Sequence, residues 1–80
     1  MNRLLIANRG EIAVRIITTA QDLGIACISV YPEDDGLAQH VHLANDHYCL
    51  PGVGAAAYLD IDAIIAAAVA TNADAIHPGY

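Results

Sequence analysis

Chemistry in this 80-residue chain has to come from a few polar residues set among apolar runs. Two segments stand out, Asn8-Arg9-Gly10-Glu11 and His77-Pro78-Gly79-Tyr80, each placed directly after a run of strand character. In the first, Gly10 opens a helical pattern, and a helix start offers free N–H groups and partial positive charge to a phosphate. A dinucleotide-binding turn needs three glycines to bring backbone against pyrophosphate, and Gly10 is alone here. The acidic cluster Glu33-Asp34-Asp35 follows the second apolar run at the distance of a ribose partner, but it reads equally as a solvated turn. Nicotinamide dinucleotides are therefore disfavoured. Gly52-Val53-Gly54 has no Lys-Ser/Thr pair after it, and the chain contains no lysine, so a Walker loop is excluded.

The histidines are His40, His42, His47 and His77. His40 and His42 are two residues apart, which on a helix points them in different directions, so a shared metal is not expected. They read as surface or half-buried side chains. His77 differs by its place at a strand end, where fixing the Pro-Gly loop is as good a role as catalysis. Cys27 and Cys49 each sit in an apolar stretch outside any Cys-x-x-Cys pair, and read as reduced core thiols. No catalytic residue and no metal site is assigned from these patterns.

The elements that must hold the two polar segments alternate regularly. Residues 3–8 form a strand-length apolar run, and a helix is predicted over 11–23, closed by Gly24. Its apolar stripe is read as Ile12, Ile16, Ala20 and Leu23, with Glu11, Arg15, Thr18 and Asp22 on a polar stripe. A second strand is predicted over 25–31, a short helix over 37–43, and a third strand over 47–50. Residues 51–57 read as a Gly/Ala loop. Asp60 is placed to cap a last helix, with Leu59 and Ile64 as a hydrophobic staple and Ile61, Ile64, Ile65 and Ala68 as its buried face. A fourth strand follows at 75–76. The alternation predicts an α/β fold, a Rossmann-like parallel sheet of strand order 3-2-1-4. Ligands in such sheets bind at the carboxyl ends of strands where the order reverses, which places the two polar segments face to face. A parallel sheet wants helices on both faces, and the sequence holds none after the fourth strand, so the domain is expected to be incomplete, or truncated.

Composition narrows the classes. Apolar residues make up 56% of the chain and the mean hydropathy is +0.43, so a charge-dominated disordered chain is excluded. The net charge is −6 with three arginines, which supplies no basic patch for nucleic acid or an anionic membrane surface. No apolar run has transmembrane length, and the N-terminal run is too short for a signal-peptide core. A cytoplasmic location is the simplest expectation.

The residues also resemble a known family. LLIANRGEIAVRII at 4–17 is similar to the start of biotin carboxylases and of the acyl-CoA and pyruvate carboxylases that contain the same module. His40-Val41 followed by Leu43-Ala44-Asn45-Asp46 resembles the family's HV-x-x-ADE segment, and Tyr58-Leu59-Asp60-Ile61 its S/A-Y-L-x-I stretch. Residues 73–80, ADAIHPGY, are similar to its GA-x-AIHPGY run. The resemblance spans the chain in order. It departs at Thr18, where arginine is common, at Asn45 in place of aspartate, and at His47-Tyr48.

The resemblance implies the Rossmann-like, pre-ATP-grasp domain of an ATP-dependent ligase. Such enzymes use ATP and Mg to activate bicarbonate as carboxyphosphate and then carboxylate biotin. It implies ATP, Mg and biotin in the parent enzyme, none of them held tightly by this segment, whose ATP-grasp and C-terminal domains lie outside it. The implied partners are those domains, a biotin carboxyl carrier domain and a carboxyltransferase. Tyr80 matches a tyrosine bordering the biotin pocket, and Arg15, Thr18 and Asp22 match a homodimer surface. The segment alone is expected to be inactive; the alternative is a stand-alone interaction module that docks on a carboxylase or self-associates.

Overall fold

The computed structural model describes residues 2–78. Its elements are β1 (Arg3–Ile6), α1 (Gly10–Asp22), β2 (Ala26–Pro32), α2 (Gln39–Leu43), β3 (Asp46–Leu50), a short 3₁₀ helix (Ala55–Leu59), α3 (Ile61–Ala70) and β4 (Ala75–His77). The four strands form one sheet in the order β3-β2-β1-β4, every pairing parallel. This is the expected α/β topology. Parallel neighbours need a crossover between them, and each helix supplies one.

Alternation along the strands divides the core into two layers. Leu4, Ile6 and Cys27 pack with Ala13, Ile17 and Ala20 of α1 on one face. Leu5, Ile28, Val30 and Leu50 pack with Ala57, Ile64 and Ala67 on the other. Ser29, in phase with Cys27, donates its hydroxyl to the His40 carbonyl at 2.6 Å, which places α2 beside α1. The chain thus steps from β1 to β3 with helices on one face, then returns to β4 with α3 on the other. Crossovers of one hand require that change of face when the direction reverses.

Local signals explain the helix ends. Gly24 adopts φ +79° after α1; its N–H donates to the Gln21 carbonyl at 3.0 Å and the Ile25 N–H to Ala20 at 2.9 Å, the paired bonds of a left-handed helix stop. Asp60 caps α3, its Oδ1 accepting the Ala63 N–H at 3.1 Å.

The helix faces differ from the periodic reading. The buried row of α1 is Ala13, Ile17 and Ala20, not the row through Ile12 and Leu23, both of which are exposed. Two alanines in the contact row let the helix lie close on the sheet and turn the larger side chains to its flanks. On α3 the buried residues are Ile64 and Ala67, while Ile61 and Ile65 are exposed. That helix is apolar nearly all round, so period alone could not choose its face. Leu59 is 75% exposed and forms no buried staple with Ile64, because the 3₁₀ turn directs it outward. That 3₁₀ turn itself replaces part of the expected loop. Cys27 is buried as expected, but Cys49 is exposed, its side chain alternating away from the core between Tyr48 and Leu50.

The amino end of the sheet is fastened by Arg3 and Asp74. The Asp74 carboxylate accepts the N–H groups of Asn2 and Arg3 at 2.8 and 3.2 Å. Arg3 donates Nε–H to the Thr71 carbonyl at 3.0 Å and pairs with Asp46 at 3.3 Å. These contacts leave the carboxyl end of the sheet to the loops.

Candidate functional site at the carboxyl ends of β1 and β4

The two polar segments identified in the sequence do converge. β1 and β4 are in register as Ile6 opposite His77, and the Ala7 N–H donates to the His77 carbonyl at 2.9 Å, one step beyond the last pair. That bond carries the ladder to the point where the loops diverge. Asn8, Arg9 and Pro78 then rim a groove of about 770 Å³, whose wall is formed by Tyr58, Ile61, Ile64, Ile65 and Ile76.

The remaining members separate. Gly10 and Glu11 face a neighbouring cleft of about 670 Å³ between α1 and α2, which Asp35 and His40 also line. Arg9 borders both. Gly10 takes φ +64°, a left-handed turn that starts the helix without a side-chain cap from Arg9. His77 lies against α1 with Leu4, Ile12, Arg15 and Ile16, because strand alternation turns it away from the face that carries Ile76. Gly79 and Tyr80 lie outside the described residues.

Sequence reasoning missed a polar pair beside this site. His40 is 1% exposed, not a surface or half-buried side chain, because α2 presses it onto β2. Its Nε2 lies 3.2 Å from the Val30 carbonyl and 3.3 Å from the Tyr58 hydroxyl. A carbonyl only accepts, so Nε2–H is the donor in that contact. Nδ1 is buried with no hydrogen-bond partner among the described residues. Burial pushes the Tyr58 phenol up to about 12; the Asp35 and Asp34 carboxylates add to this and Arg9 opposes it. Tyr58 is thus a neutral phenol at physiological pH, able to donate a proton in a hydrogen bond but not to act as a base. The signal in the sequence was Tyr58 just before the Asp60 cap, which placed an aromatic ring at the sheet end.

Glu11, Arg15, Thr18 and Asp22 are exposed on α1, as the polar stripe requires. Thr18 turns its hydroxyl to the Val14 carbonyl at 2.9 Å. Among the described residues the ion pair is Arg3–Asp46, so Arg15 does not pair with Glu11 one turn earlier. No described helix is long and apolar enough to cross a membrane.

Magnesium and nucleotide do not fit these residues. No group of three or more His, Cys, Asp or Glu among the described residues could hold a metal ion. Arg3 is engaged at the opposite end of the sheet and Arg15 lies on the α1 flank, which leaves Arg9 as the one arginine at the groove. One cation without a glycine-rich turn does not hold a triphosphate.

Comparison with known proteins agrees with this geometry. The family model described as biotin carboxylase, N-terminal domain, matches residues 1–80. Biotin carboxylase 1 of Bacillus subtilis is 48% identical over 81 residues, which cover 100% of this chain and 18% of the relative. A putative urea carboxylase of Emericella nidulans is 52% identical over 80 residues, which cover 100% of this chain and 6% of the relative. The solved biotin carboxylase domain of a single-chain bacterial carboxylase superposes with a TM-score of 0.95 at 46% identity, covering 100% of this chain and 19% of that one. The chain therefore spans less than a fifth of each of these proteins. With an N-terminal model matched from end to end and the same sheet in a solved relative, the chain belongs to the biotin carboxylase N-terminal domain family.

Proposed function

We propose that this chain is the opening segment of a ligase that carboxylates carrier-borne biotin with ATP, Mg and bicarbonate, and that it has no such activity alone. The observation that carries the reading is the Ala7–His77 hydrogen bond, which holds the ANRGEIA and AIHPGY motifs at one end of the sheet. Asn8, Arg9 and Pro78 with the adjoining Gly79 and Tyr80 then border the biotin, while nucleotide and metal belong to the domains that follow. The apolar wall of the groove suits a neutral ring better than a triphosphate. In this reading Arg15, Thr18 and Asp22 contribute to a homodimer surface, and the carrier domain and carboxyltransferase are the partners. A cytoplasmic location belongs to the same reading, supported by two unpaired cysteines.

The test is ATP- and bicarbonate-dependent carboxylation of free biotin by the intact polypeptide that carries this segment. Tyr80→Ala and Arg9→Ala are expected to raise KM for biotin about tenfold, the equivalent of ~1.4 kcal/mol. Activity in the isolated 80 residues, or none in the intact polypeptide, would overturn the reading.

A further inference from the structure

We infer that Asp35-Gly36, in the turn between β2 and α2, is a site of spontaneous covalent modification, where the aspartate cyclises to a succinimide and reopens as isoaspartate. The inference does not rest on the functional reading above. Succinimide closure brings a side-chain carboxyl against the main-chain nitrogen of the next residue, and a side chain on that next residue obstructs the approach. Glycine has none. Among the nine acidic residues only Asp35 precedes a glycine, and no asparagine does.

The structure leaves both reacting groups unprotected. Neither residue belongs to a helix or strand. Among the described residues the Asp35 carboxylate accepts no hydrogen bond and the Gly36 N–H donates none. Asp34 differs on both counts: its Oδ1 accepts the Gly54 N–H at 3.0 Å, and the residue after it carries a side chain. Residues 33–38 line a surface cleft of about 680 Å³, and Leu37 is 91% exposed, so water reaches the turn.

In the first step the Gly36 nitrogen loses its proton and bonds to Asp35 Cγ, and the carboxyl hydroxyl leaves with a proton as water. Water then opens the ring. Breaking the new Cγ–N bond restores aspartate, whereas breaking the original peptide C–N bond gives isoaspartate. One water leaves and one enters. The product routes the main chain through Cγ and frees the former Asp35 carbonyl as a carboxylate. That carbonyl accepts the Ala38 N–H at 3.2 Å, the bond that turns the chain into α2. Isomerisation therefore loosens the lead-in to the helix that carries His40.

The experiment ages the intact, folded polypeptide at neutral pH in heavy-oxygen water and then digests it. Mass spectrometry with electron-based fragmentation locates the label and separates isoaspartate from aspartate. The expected result is heavy oxygen and isoaspartate at Asp35, with Asp34 unlabelled. Gly36→Ala is expected to lose the product. Its backbone lies outside the left-handed region and the added Cβ would meet the Tyr31 ring at 3.5 Å, an ordinary contact. Asp35→Glu keeps the charge and is expected to lose the product as well, since its ring would need one more atom; it serves if the alanine variant does not fold. An unmodified Asp35 in the folded protein overturns the inference, even where the urea-unfolded chain isomerises. Equal labelling at Asp34, or a product that survives either substitution, overturns it too.

Discussion

His40 and Tyr58 meet over the end of β2 from opposite faces of the sheet, with 3.3 Å between Nε2 and the phenolic oxygen. The contact joins α2 to the 3₁₀ helix and closes the carboxyl end of the strand around the Val30 carbonyl, 3.2 Å from the same nitrogen. His40→Ala removes a fully buried ring and leaves that carbonyl unpaired, at an expected cost of about 3 kcal/mol. Tyr58→Phe removes one neutral hydrogen bond and costs about 1 kcal/mol. Because the two are bonded to each other, the double variant falls short of the sum by at least about 0.5 kcal/mol. Urea unfolding of the four proteins in the cycle measures this, and strict additivity contradicts the contact.

The same phenol sets the alkaline limit. Its folded pKa is raised from 10.0 to about 12 by burial and by the Asp35 and Asp34 carboxylates. Above pH 10 the unfolded chain releases this proton while the folded chain keeps it, so the Tyr58 contribution is full below 10 and is lost as pH approaches 12. Tyr58→Phe is therefore expected to flatten the fall in stability between pH 10 and 12. Equal slopes for the two proteins would show that Tyr58 ionises as freely as in the unfolded chain.

Strand order and the meeting of the two loops were legible because both follow from punctuation: Gly24, Asp60 and Pro78 each mark an element end that the structure keeps. The faces of α1 and α3 were not legible. Both helices carry apolar residues on more than one side, and the contact row of α1 is chosen by the small Ala13 and Ala20, which hydropathy ranks below Ile12 and Leu23. Burial of His40 was illegible for another reason. Its acceptor is a backbone carbonyl ten residues earlier, which no side-chain pattern reveals. At the carboxyl end of the sheet Asn8 and Arg9 line the groove with Pro78, while Gly10 and Glu11 turn into the adjacent cleft because the left-handed φ of Gly10 swings the chain into α1.

At the other end of the sheet, the acid limit depends on Asp74. The N–H of Asn2, then that of Arg3, holds the carboxyl below its ordinary value of 3.8. A depressed folded pKa stabilises above the unfolded value and is lost as pH falls through the folded one. Asp74→Ala is thus expected to be less stable than the parent at neutral pH, with a gap that narrows steadily below pH 3.8. Thermal unfolding monitored from pH 2 to pH 7 checks this, and a gap independent of pH would contradict it.

Asn45 ends the β2–β3 ladder in place of a backbone group. Its Oδ1 accepts the Cys27 N–H at 2.8 Å and the Gln21 side-chain N–H at 3.1 Å. The first backbone pair of that ladder is Ile28 opposite Asp46, so the side chain supplies the rung one residue earlier. Both contacts need an acceptor and neither needs the amide nitrogen. Asn45→Ala is therefore expected to cost about 1–2 kcal/mol, since it strands a part-buried N–H. Asn45→Asp keeps the acceptor and should stay within about 0.5 kcal/mol of the parent. Urea midpoints separate these outcomes. A loss for aspartate as large as that for alanine would mean that the amide N–H₂, rather than Oδ1, makes the necessary contact.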